Sequence, residues 1–225
     1  MSAPISVVIP TLNSADNLPA TLLSLMEGLE AGLICEVVVT DGGSTDASGS
    51  IALDWGAEVI TGAASRGGQL RRGVAVTRGA WIMVLHADTI LQEGWAEQVK
   101  AHMQQGPLCF SLAFRARGLA ARWVAAWANL RSDVLGLPFG DQGLLLRRVE
   151  YDRAGGYPDQ PLMEDVALVR AIKQKIRRLP ACAFTAADKY QQQGWFRRGA
   201  KNIGLLLQYF LGADAKDLAR RYHKI

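Results

Sequence analysis

The first half of the chain repeats one unit, in which a short apolar run is followed by a polar turn and then by a segment with helical spacing of its apolar residues. Runs rich in β-branched residues predict strands at residues 5–9, 36–40, 57–60 and 81–85. Helical spacing predicts helices at residues 18–29, 46–55 and 68–77. Strands that alternate with helices in this way imply a parallel sheet with right-handed crossovers.

The second half of the chain has a looser pattern. Residues 93–104, 119–130 and 164–173 have helical spacing, and residues 108–114 and 143–146 read as strands. The chain has 225 residues, of which 49% are hydrophobic, and this is long enough for one well-buried domain. Because no linker, repeat or low-complexity segment interrupts it, we expect a single α/β domain whose second half completes the pocket.

The charge of the chain limits the kinds of molecule it can bind, and its cysteines indicate the redox state of its compartment. The net charge of +4 allows an anionic substrate or a membrane surface, but the basic residues are scattered except toward the C-terminus, so no nucleic-acid partner is expected. Cys35, Cys109 and Cys182 lie far apart without metal-ligand spacing and are interpreted as buried, reduced thiols of a cytosolic protein. Residues 1–10 lack the charged start and the long apolar run of a signal peptide. The apolar segment at residues 203–211 is too short to span a membrane.

A His-x-Asp pair, His86-Ala87-Asp88, directly follows the strongly apolar run at residues 81–85. Ligands bind at the carboxyl ends of strands in open α/β sheets, so a carboxylate at this point predicts a site for a divalent cation that holds a diphosphate. His86 has three open interpretations: a buried hydrogen-bonded histidine, a ribose contact or a metal ligand.

Two further turns follow predicted strands, at residues 10–14 and 41–46. Gly42 and Gly43 allow close backbone approach, and Asp41 can accept hydrogen bonds from a base or a ribose. The second turn is also compatible with an ordinary turn and helix cap, in which Ser44 or Thr45 caps the helix at residues 46–55. Residues 10–15 contain no glycine, which argues against a dinucleotide-binding dehydrogenase.

The motifs at residues 7–13, 39–46 and 86–88 together resemble the family 2 glycosyltransferases of the GT-A fold. Residues 65–70, 85–89, 140–143 and 163–166 are most similar to the small bacterial branch associated with radical-SAM and selenodomain proteins. The resemblance covers about residues 5–185. It implies an α/β GT-A nucleotide-diphospho-sugar transferase fold with a single mostly parallel sheet flanked by helices. We expect a transferase domain at residues 1–190 and an amphipathic helical extension at residues 191–225.

The resemblance also implies a nucleotide-sugar donor, expected to be a UDP-sugar, with Mg²⁺ or Mn²⁺ as cofactor. The implied donor-binding residues are Pro10, Thr11, Asn13, Asp41, Gly42, Gly43, Arg66, Gly67, Gln69, His86, Ala87 and Asp88. Asp88, the last acid of the Asp-x-Asp motif, is the implied metal and diphosphate ligand. His86 stands where many members have the first Asp of that motif, which leaves the metal's ligand shell open. A hard cation stabilises the charge that develops on a departing diphosphate, whichever family supplies the site. Arg66 and the backbone of its Gly-rich loop would add to this stabilisation, unless Arg66 is simply a solvated loop arginine.

Two adjacent acids, Glu164 and Asp165, begin a predicted helix. Their simplest interpretation is a favourable interaction with the helix dipole. The resemblance makes Asp165 the general base that deprotonates the acceptor during one in-line displacement with inversion. Adjacent helical residues point about 100° apart, so only one carboxylate faces the acceptor directly. Glu164 then supports Asp165 or binds the acceptor.

The acceptor, a small molecule or a lipid-linked one, is assigned to Asp141, Gln142 and Trp195. Residues 140–143 resemble the acceptor-side loop of the family but are equally compatible with a plain turn. Residues 191–195 are similar to the Gln-x-x-Arg-Trp signature of processive synthases, but Gly194 replaces the Arg and no membrane span is expected, so processive synthesis is rejected.

The C-terminal segment that starts at Trp195 combines basic, aromatic and apolar residues. Such a segment lies on a membrane surface, packs on its own domain or forms a homodimer. We therefore expect a cytoplasmic protein, with peripheral attachment at the inner face of the membrane as one alternative.

Two other classes of protein remain as alternatives. A catalytically silent nucleotide-binding module would keep the loop around Asp41 but would not need the acids at 164 and 165. A nucleotidyltransferase would have a Gly-rich signature with Arg and Lys close behind the first strand, and residues 10–13 lack it.

Overall fold

The computed structural model describes residues 3–223, and their strands form a single mixed sheet in the order β3-β2-β1-β4-β7-β6-β8-β5. The strands are β1 (Ile5–Thr11), β2 (Ile34–Asp41), β3 (Glu58–Thr61), β4 (Trp81–Val84), β5 (Thr89–Leu91), β6 (Leu108–Phe114), β7 (Leu144–Arg147) and β8 (Arg177–Thr185). The helices are α1 (Leu18–Glu30), α2 (Ser48–Asp54), α3 (Arg66–Val76), α4 (Trp95–His102), α5 (Leu119–Leu135), α6 (Arg148–Arg153), α7 (Glu164–Ala171), α8 (Asp188–Gln193), α9 (Trp195–Phe210) and α10 (Ala215–His223). Short 3₁₀ turns lie at Met103–Gln105 and Gly140–Gln142.

Strands β1 to β4 pair in parallel, as the alternating pattern predicts. Thr11 at the end of β1 lies opposite Asp41 at the end of β2, so the loops after these strands emerge side by side. The apolar residues of β1 and β4 are buried between helices on both faces of the sheet, which accounts for their continuous hydrophobic runs. The predicted fold class, a mostly parallel sheet flanked by helices, is confirmed.

The second half completes the sheet with mixed pairing. Strand β7 is antiparallel to both β4 and β6, while β6 and β8 are parallel. Strands β5 and β8 were not anticipated from the pattern, because β5 has only three residues and β8 begins with exposed Arg177 and Arg178. Their antiparallel pairing places Thr89, next to Asp88, opposite Thr185.

The predicted cap of α2 is wrong. The helix begins at Ser48, and neither Ser44 nor Thr45 caps it. The Ser44 hydroxyl instead donates to Asp41, while Asp46 accepts hydrogen bonds from the backbone N–H and the hydroxyl of Ser48. The Ser44 hydroxyl does not cap the helix because it donates a hydrogen bond to the buried carboxylate of Asp41.

Helices α9 and α10 pack on the preceding chain. Leu205, Leu206 and Leu218 form a buried cluster with the segment that leads into α7, at Leu162, Met163 and Val166. The division of the chain at residue 190 stays a prediction. Among the helices described, none is long and apolar enough to cross a bilayer.

Candidate active site

Asp41 anchors the loop that follows β2. Its carboxylate accepts hydrogen bonds from the Thr11 hydroxyl at 3.0 Å and from the backbone N–H groups of Gly43 at 2.9 Å and Ser44 at 2.7 Å, and also from the Ser44 hydroxyl. Burial by itself raises the pKa of Asp41, but these hydrogen bonds outweigh it and lower the pKa below the ordinary value. The carboxylate therefore stays ionised and holds the loop in one conformation.

The loops after β1 and β2 are tied to each other by Asn13. Its backbone N–H donates to the Ser44 hydroxyl at 2.8 Å, and its Oδ1 accepts from the Thr45 N–H at 2.9 Å. Asn13 has a φ of +50°, a conformation that Asn tolerates better than most residues. Asn13 and Leu12 are exposed, while Pro10 is half-buried. The predicted donor loops therefore form one rigid rim at the strand ends.

Gln69 supports this rim from below. It is 5% exposed, and its Nε2 donates to the carbonyl oxygens of Thr11 and Thr40, both at 2.8 Å. A Cβ at Gly42 would lie 3.0 Å from Gln69 Oε1, so a larger residue would press on this brace. The amide of Gln69 thus holds the two strand ends together.

The Gly-rich start of α3 lies under the loop at residues 158–160. Ser65 caps the helix by accepting from the Gly68 N–H, and its hydroxyl donates to Asp159 at 2.6 Å. The Gly67 N–H donates to the Gln160 carbonyl at 3.2 Å, and a Cβ at Gly67 would collide with the Pro158 carbonyl oxygen. These two N–H groups, expected to face an anion, are engaged within the protein.

Asp165 and His86 meet at Gly140. The Gly140 N–H donates to Asp165 Oδ2 at 2.7 Å, and the Val166 N–H donates to Oδ1 at 2.7 Å. A Cβ at Gly140 would lie 2.6 Å from His86 Nε2 and 3.5 Å from Asp165 Oδ2, which shows how closely the two side chains approach this glycine. The imidazole of His86, just after β4, and the carboxylate of Asp165, in the first turn of α7, therefore lie close to the same glycine.

Glu164 is buried beside Asp165. It is 2% exposed, and its Oε1 lies 3.7 Å from Nε of Arg66, whose side chain is 42% exposed. Burial and the charge of Asp165 raise the pKa of Glu164 to about 7, and Arg66 opposes this rise. The preceding Met163 has a φ of +63°, which is uncommon for a residue with a side chain, and such strain is concentrated at functional sites.

Further charged groups surround the same space. Burial first, and then the negative charges of Asp165 and Asp88, raise the pKa of Asp141 to about 6, while Arg131 lowers it. Burial and the charge of Arg66 lower the pKa of His86 to about 4, so the imidazole is neutral at pH 7. The cluster thus combines carboxylates with arginines, an arrangement typical of sites that bind anions or transfer protons.

Within residues 3–223, no three His, Cys, Asp or Glu side chains converge as a preformed metal cage. Mg²⁺ in particular does not require one, because it is usually held by one or two carboxylates, waters and substrate phosphates. Asp88 is half-buried, and a single carboxylate of this kind fits a hard divalent cation that arrives with a diphosphate. Oδ1 of Asp141 and Oε2 of Glu164 are also buried without a hydrogen-bond partner among the described residues.

Gln142 and Trp195, two of the residues predicted to bind the acceptor, form contacts within the protein itself. Gln142 is fully buried: its Oε1 accepts from Ser132 at 2.7 Å and from Arg131 at 3.2 Å, and its Nε2 donates to the Phe110 carbonyl at 3.2 Å. The side chain of Gln142 therefore positions the loop at residues 140–143 from inside. Trp195 stacks on Tyr190, with ring centroids 5.2 Å apart.

The sequence reasoning missed two residues of the site. Gly140 supplies the N–H group that orients Asp165, and Arg131 reaches from α5 to stack on Phe139 with its guanidinium carbon 3.5 Å from the ring centroid. For Gly140, the only signal in the sequence is that a glycine precedes Asp141. For Arg131 the sequence indicates only its place on a helix that could cover the acceptor site, because its contact with Phe139 depends on how α5 packs.

Several known proteins have sequences similar to that of this chain. Uncharacterised glycosyltransferases of Mycobacterium tuberculosis and Mycobacterium bovis are each 27% identical to this chain over 179 residues, covering 72% of this chain and 79% of the relative.

Solved structures share the fold. A glucosyl-3-phosphoglycerate synthase from Mycobacterium tuberculosis, crystallised with Mn²⁺, UDP and glucosyl-3-phosphoglycerate, superposes with a TM-score of 0.59 at 19% identity, covering 81% of this chain and 71% of that one. TarS (residues 1–349) of S. aureus superposes with a TM-score of 0.62 at 16% identity, covering 95% of this chain and 66% of that one. Residues 6–152 match the family model described as glycosyl transferase family 2, a span that includes both donor loops and the His-x-Asp motif. The chain therefore belongs to glycosyl transferase family 2 and is a glycosyltransferase of the GT-A fold.

Proposed function

We propose that this protein transfers a sugar from a nucleoside-diphosphate-sugar, with a UDP-sugar as the first expectation, to an acceptor hydroxyl with inversion at the anomeric carbon. The observation that carries the proposal is the meeting of His86 and Asp165 at Gly140. It brings the strand end proposed for the diphosphate next to the carboxylate proposed as base. Family membership and the UDP complexes of the structural neighbours support the donor class.

The nucleoside is assigned to the rim formed by the loops after β1 and β2. Asp41 already has four hydrogen-bond donors within the protein, so its first task is to hold the backbone of Gly42 and Gly43 in place. The exposed Asn13 and half-buried Pro10 then line the approach. The glycines allow the base or ribose to come close to the backbone.

The diphosphate is assigned to the end of β4. Asp88, with His86 beside it, would hold Mg²⁺ or Mn²⁺, and the bound cation offsets the negative charge that develops on the leaving diphosphate. Arg66 is 42% exposed and retains donors beyond its contact with Glu164, so it can bind the phosphate oxygens as well.

Asp165 is assigned the role of general base. Each of its oxygens accepts one backbone hydrogen bond, which leaves each with a free lone pair for the acceptor hydroxyl. In the transfer, the acceptor oxygen bonds to the anomeric carbon, the bond from that carbon to the diphosphate breaks, and the hydroxyl proton passes to Asp165. Glu164 faces Arg66 and holds it near the donor.

The acceptor remains a class, a small molecule or a lipid-linked hydroxyl. Asp141 is the residue best placed to bind it, because its buried Oδ1 has no hydrogen-bond partner among the described residues. We also infer that the chain belongs to the small bacterial branch associated with radical-SAM and selenodomain proteins, on its motifs at residues 65–70, 140–143 and 163–166. Cys109 is buried as predicted, but the prediction is wrong for Cys35, which is exposed. The three free cysteines and the nucleotide-sugar donor support a cytoplasmic location.

A donor panel tests the proposal. The protein is incubated with Mn²⁺ and UDP-, GDP-, dTDP- and CMP-sugars, and the release of free nucleotide is measured alongside thermal shift. We expect one diphosphate class to raise the unfolding temperature and to be hydrolysed slowly without an acceptor. Production of pyrophosphate from a nucleoside triphosphate and a sugar phosphate would contradict the proposal and favour a nucleotidyltransferase.

A further inference from the structure

Helices α5 and α9 expose large apolar side chains that the fold leaves uncovered. On α5 the exposed residues recur at intervals of three or four and so share one face: Leu119, Trp123, Trp127, Leu130 and Val134, with exposures of 82%, 58%, 45%, 51% and 69%. On α9 and just beyond it they are Phe196, Ile203, Leu207, Phe210 and Leu211, with exposures of 61%, 37%, 56%, 40% and 88%.

The two rows join into one surface. The rings of Trp123 and Phe196 contact each other edge to face, with centroids 5.5 Å apart. Together with Leu119, Arg122 and Ala126 they line an open depression between the helices. Exposed aromatic side chains that contact each other between two exposed apolar rows differ from the single scattered apolar residues normal for a protein surface. We call it the α5/α9 face.

A positive rim borders the α5/α9 face. Arg117, Arg122 and Arg197 are exposed near the junction of the two helices, and within residues 3–223 none of them forms an ion pair. Helix α9 has no acidic residue, and of its two arginines Arg197 is exposed while Arg198 is buried against Tyr222. The single acid of α5, Asp133, is paired with Arg178. The face therefore combines exposed apolar groups with uncompensated positive charge.

The apolar surface and its positive rim favour one kind of binding partner for the α5/α9 face. We propose that the α5/α9 face binds the surface of a lipid bilayer that contains anionic headgroups. Apolar and aromatic side chains enter the boundary between headgroups and acyl chains, and the arginines at the rim contact the headgroup phosphates. A second copy of the chain is disfavoured, because a symmetric contact would bring the same arginines of both copies together.

The inner sides of the same helices hold the candidate active site. Arg131 and Ser132 of α5 hydrogen-bond Gln142, which shapes the loop of Gly140. Leu205 and Leu206 of α9 pack on Met163 and Val166, on either side of the two acids. Docking through the α5/α9 face therefore places the bilayer on the outer side of helices whose inner sides contact the candidate active site, and it does not depend on which donor is used.

Vesicle binding of the full chain tests the proposal. Flotation is measured with phosphatidylcholine vesicles and with vesicles in which one third of the lipid is phosphatidylglycerol. We expect binding to the anionic vesicles, weaker binding to the neutral ones, and a blue shift of tryptophan emission on binding. The double variant Trp123→Gln/Phe196→Gln should lower the partition coefficient by about tenfold or more, and Arg122→Gln/Arg197→Gln should remove the preference for anionic lipid.

A matched control is available on α2, on another part of the surface. Leu53 and Trp55 are 62% and 42% exposed, similar to Phe196 and Trp127, and Leu53→Gln/Trp55→Gln should leave vesicle binding unchanged. Circular dichroism and thermal unfolding verify that each variant is folded. Failure of the folded wild-type chain to bind anionic vesicles, or equal loss in the α2 control, would overturn the proposal. So would a lipid-independent dimer that Trp123→Gln/Phe196→Gln dissociates.

Discussion

The backbone N–H of Gly140 donates a 2.7 Å hydrogen bond to Oδ2 of Asp165, and it joins two segments that are 25 residues apart in the chain. The same glycine packs against His86, so the loop at residues 140–143 sets the distance between the end of β4 and the start of α7. The carboxylate proposed as base is thereby oriented by backbone, whose position depends on the buried Gln142 and not on a mobile surface side chain.

Replacing the proposed base should abolish transfer while leaving the fold in place. Asp165→Asn keeps an oxygen that can accept from Gly140 but cannot take up the acceptor proton, so we expect turnover to fall by roughly 10² to 10⁴ with little change in nucleotide affinity. Turnover and nucleotide binding by titration calorimetry measure the two effects. Asp152→Asn, an exposed acid on α6, serves as the control and should retain full activity. Near-normal turnover of Asp165→Asn would exclude it as base.

A single methyl group at Gly140 should disturb the site more than the fold. In Gly140→Ala the new Cβ would lie 2.6 Å from His86 Nε2, so the imidazole must move away from the acid. We expect at least a tenfold loss of turnover, because small misplacements of reacting groups are costly. Gly49→Ala on α2, where nothing lies within 4 Å of the added Cβ, is the control, and a similar loss there would refute the interpretation.

The buried carboxyl of Glu164 should make stability fall as pH rises. Burial raises its pKa from the ordinary value of 4.5 to about 7, so the folded state binds a proton more tightly than the unfolded chain. The stability linked to this proton is present below pH 4.5 and is lost as pH rises through 7. In Glu164→Gln the decrease in unfolding temperature between pH 5 and pH 8 should be smaller than in the wild type. Thermal unfolding at both pH values measures it.

Asp141 has a raised pKa too, but it is present in both proteins, so its contribution cancels in this comparison. Equal decreases in the wild type and in Glu164→Gln would show that Glu164 is not the group responsible.

Sugar transfer should require a divalent cation, and Asp88 should be the residue that binds it. Removal of divalent cations with EDTA should abolish transfer by the wild type, and added Mn²⁺ or Mg²⁺ should restore it. In calorimetric titrations, Mn²⁺ should strengthen the binding of UDP to the wild type by about tenfold or more and should have little effect on binding to Asp88→Asn. An undiminished Mn²⁺ effect in Asp88→Asn would remove Asp88 as a ligand.

Local pattern is sufficient to predict the alternating strands and helices of the first half. Strand β4 is apolar and buried throughout, and most residues of β1 are apolar and buried too, so these strands are recognisable as continuous hydrophobic runs. The pattern does not predict strand β8, because the strand begins with two consecutive exposed arginines. The predicted helix cap is wrong because the Ser44 hydroxyl donates to Asp41 instead. Local preference was overridden in both places by contacts between distant segments.

The parallel βα architecture and the types of chemical group at the strand ends can be predicted from the sequence, because hydrophobic period and residue type are local properties. Which of those groups meet depends on the folded chain. Folding brings Asp165 and His86 together at Gly140, buries Gln142 inside the loop at residues 140–143, and exposes the apolar rows of α5 and α9. Such relationships depend on how the sheet and helices pack, and no short stretch of sequence encodes that packing.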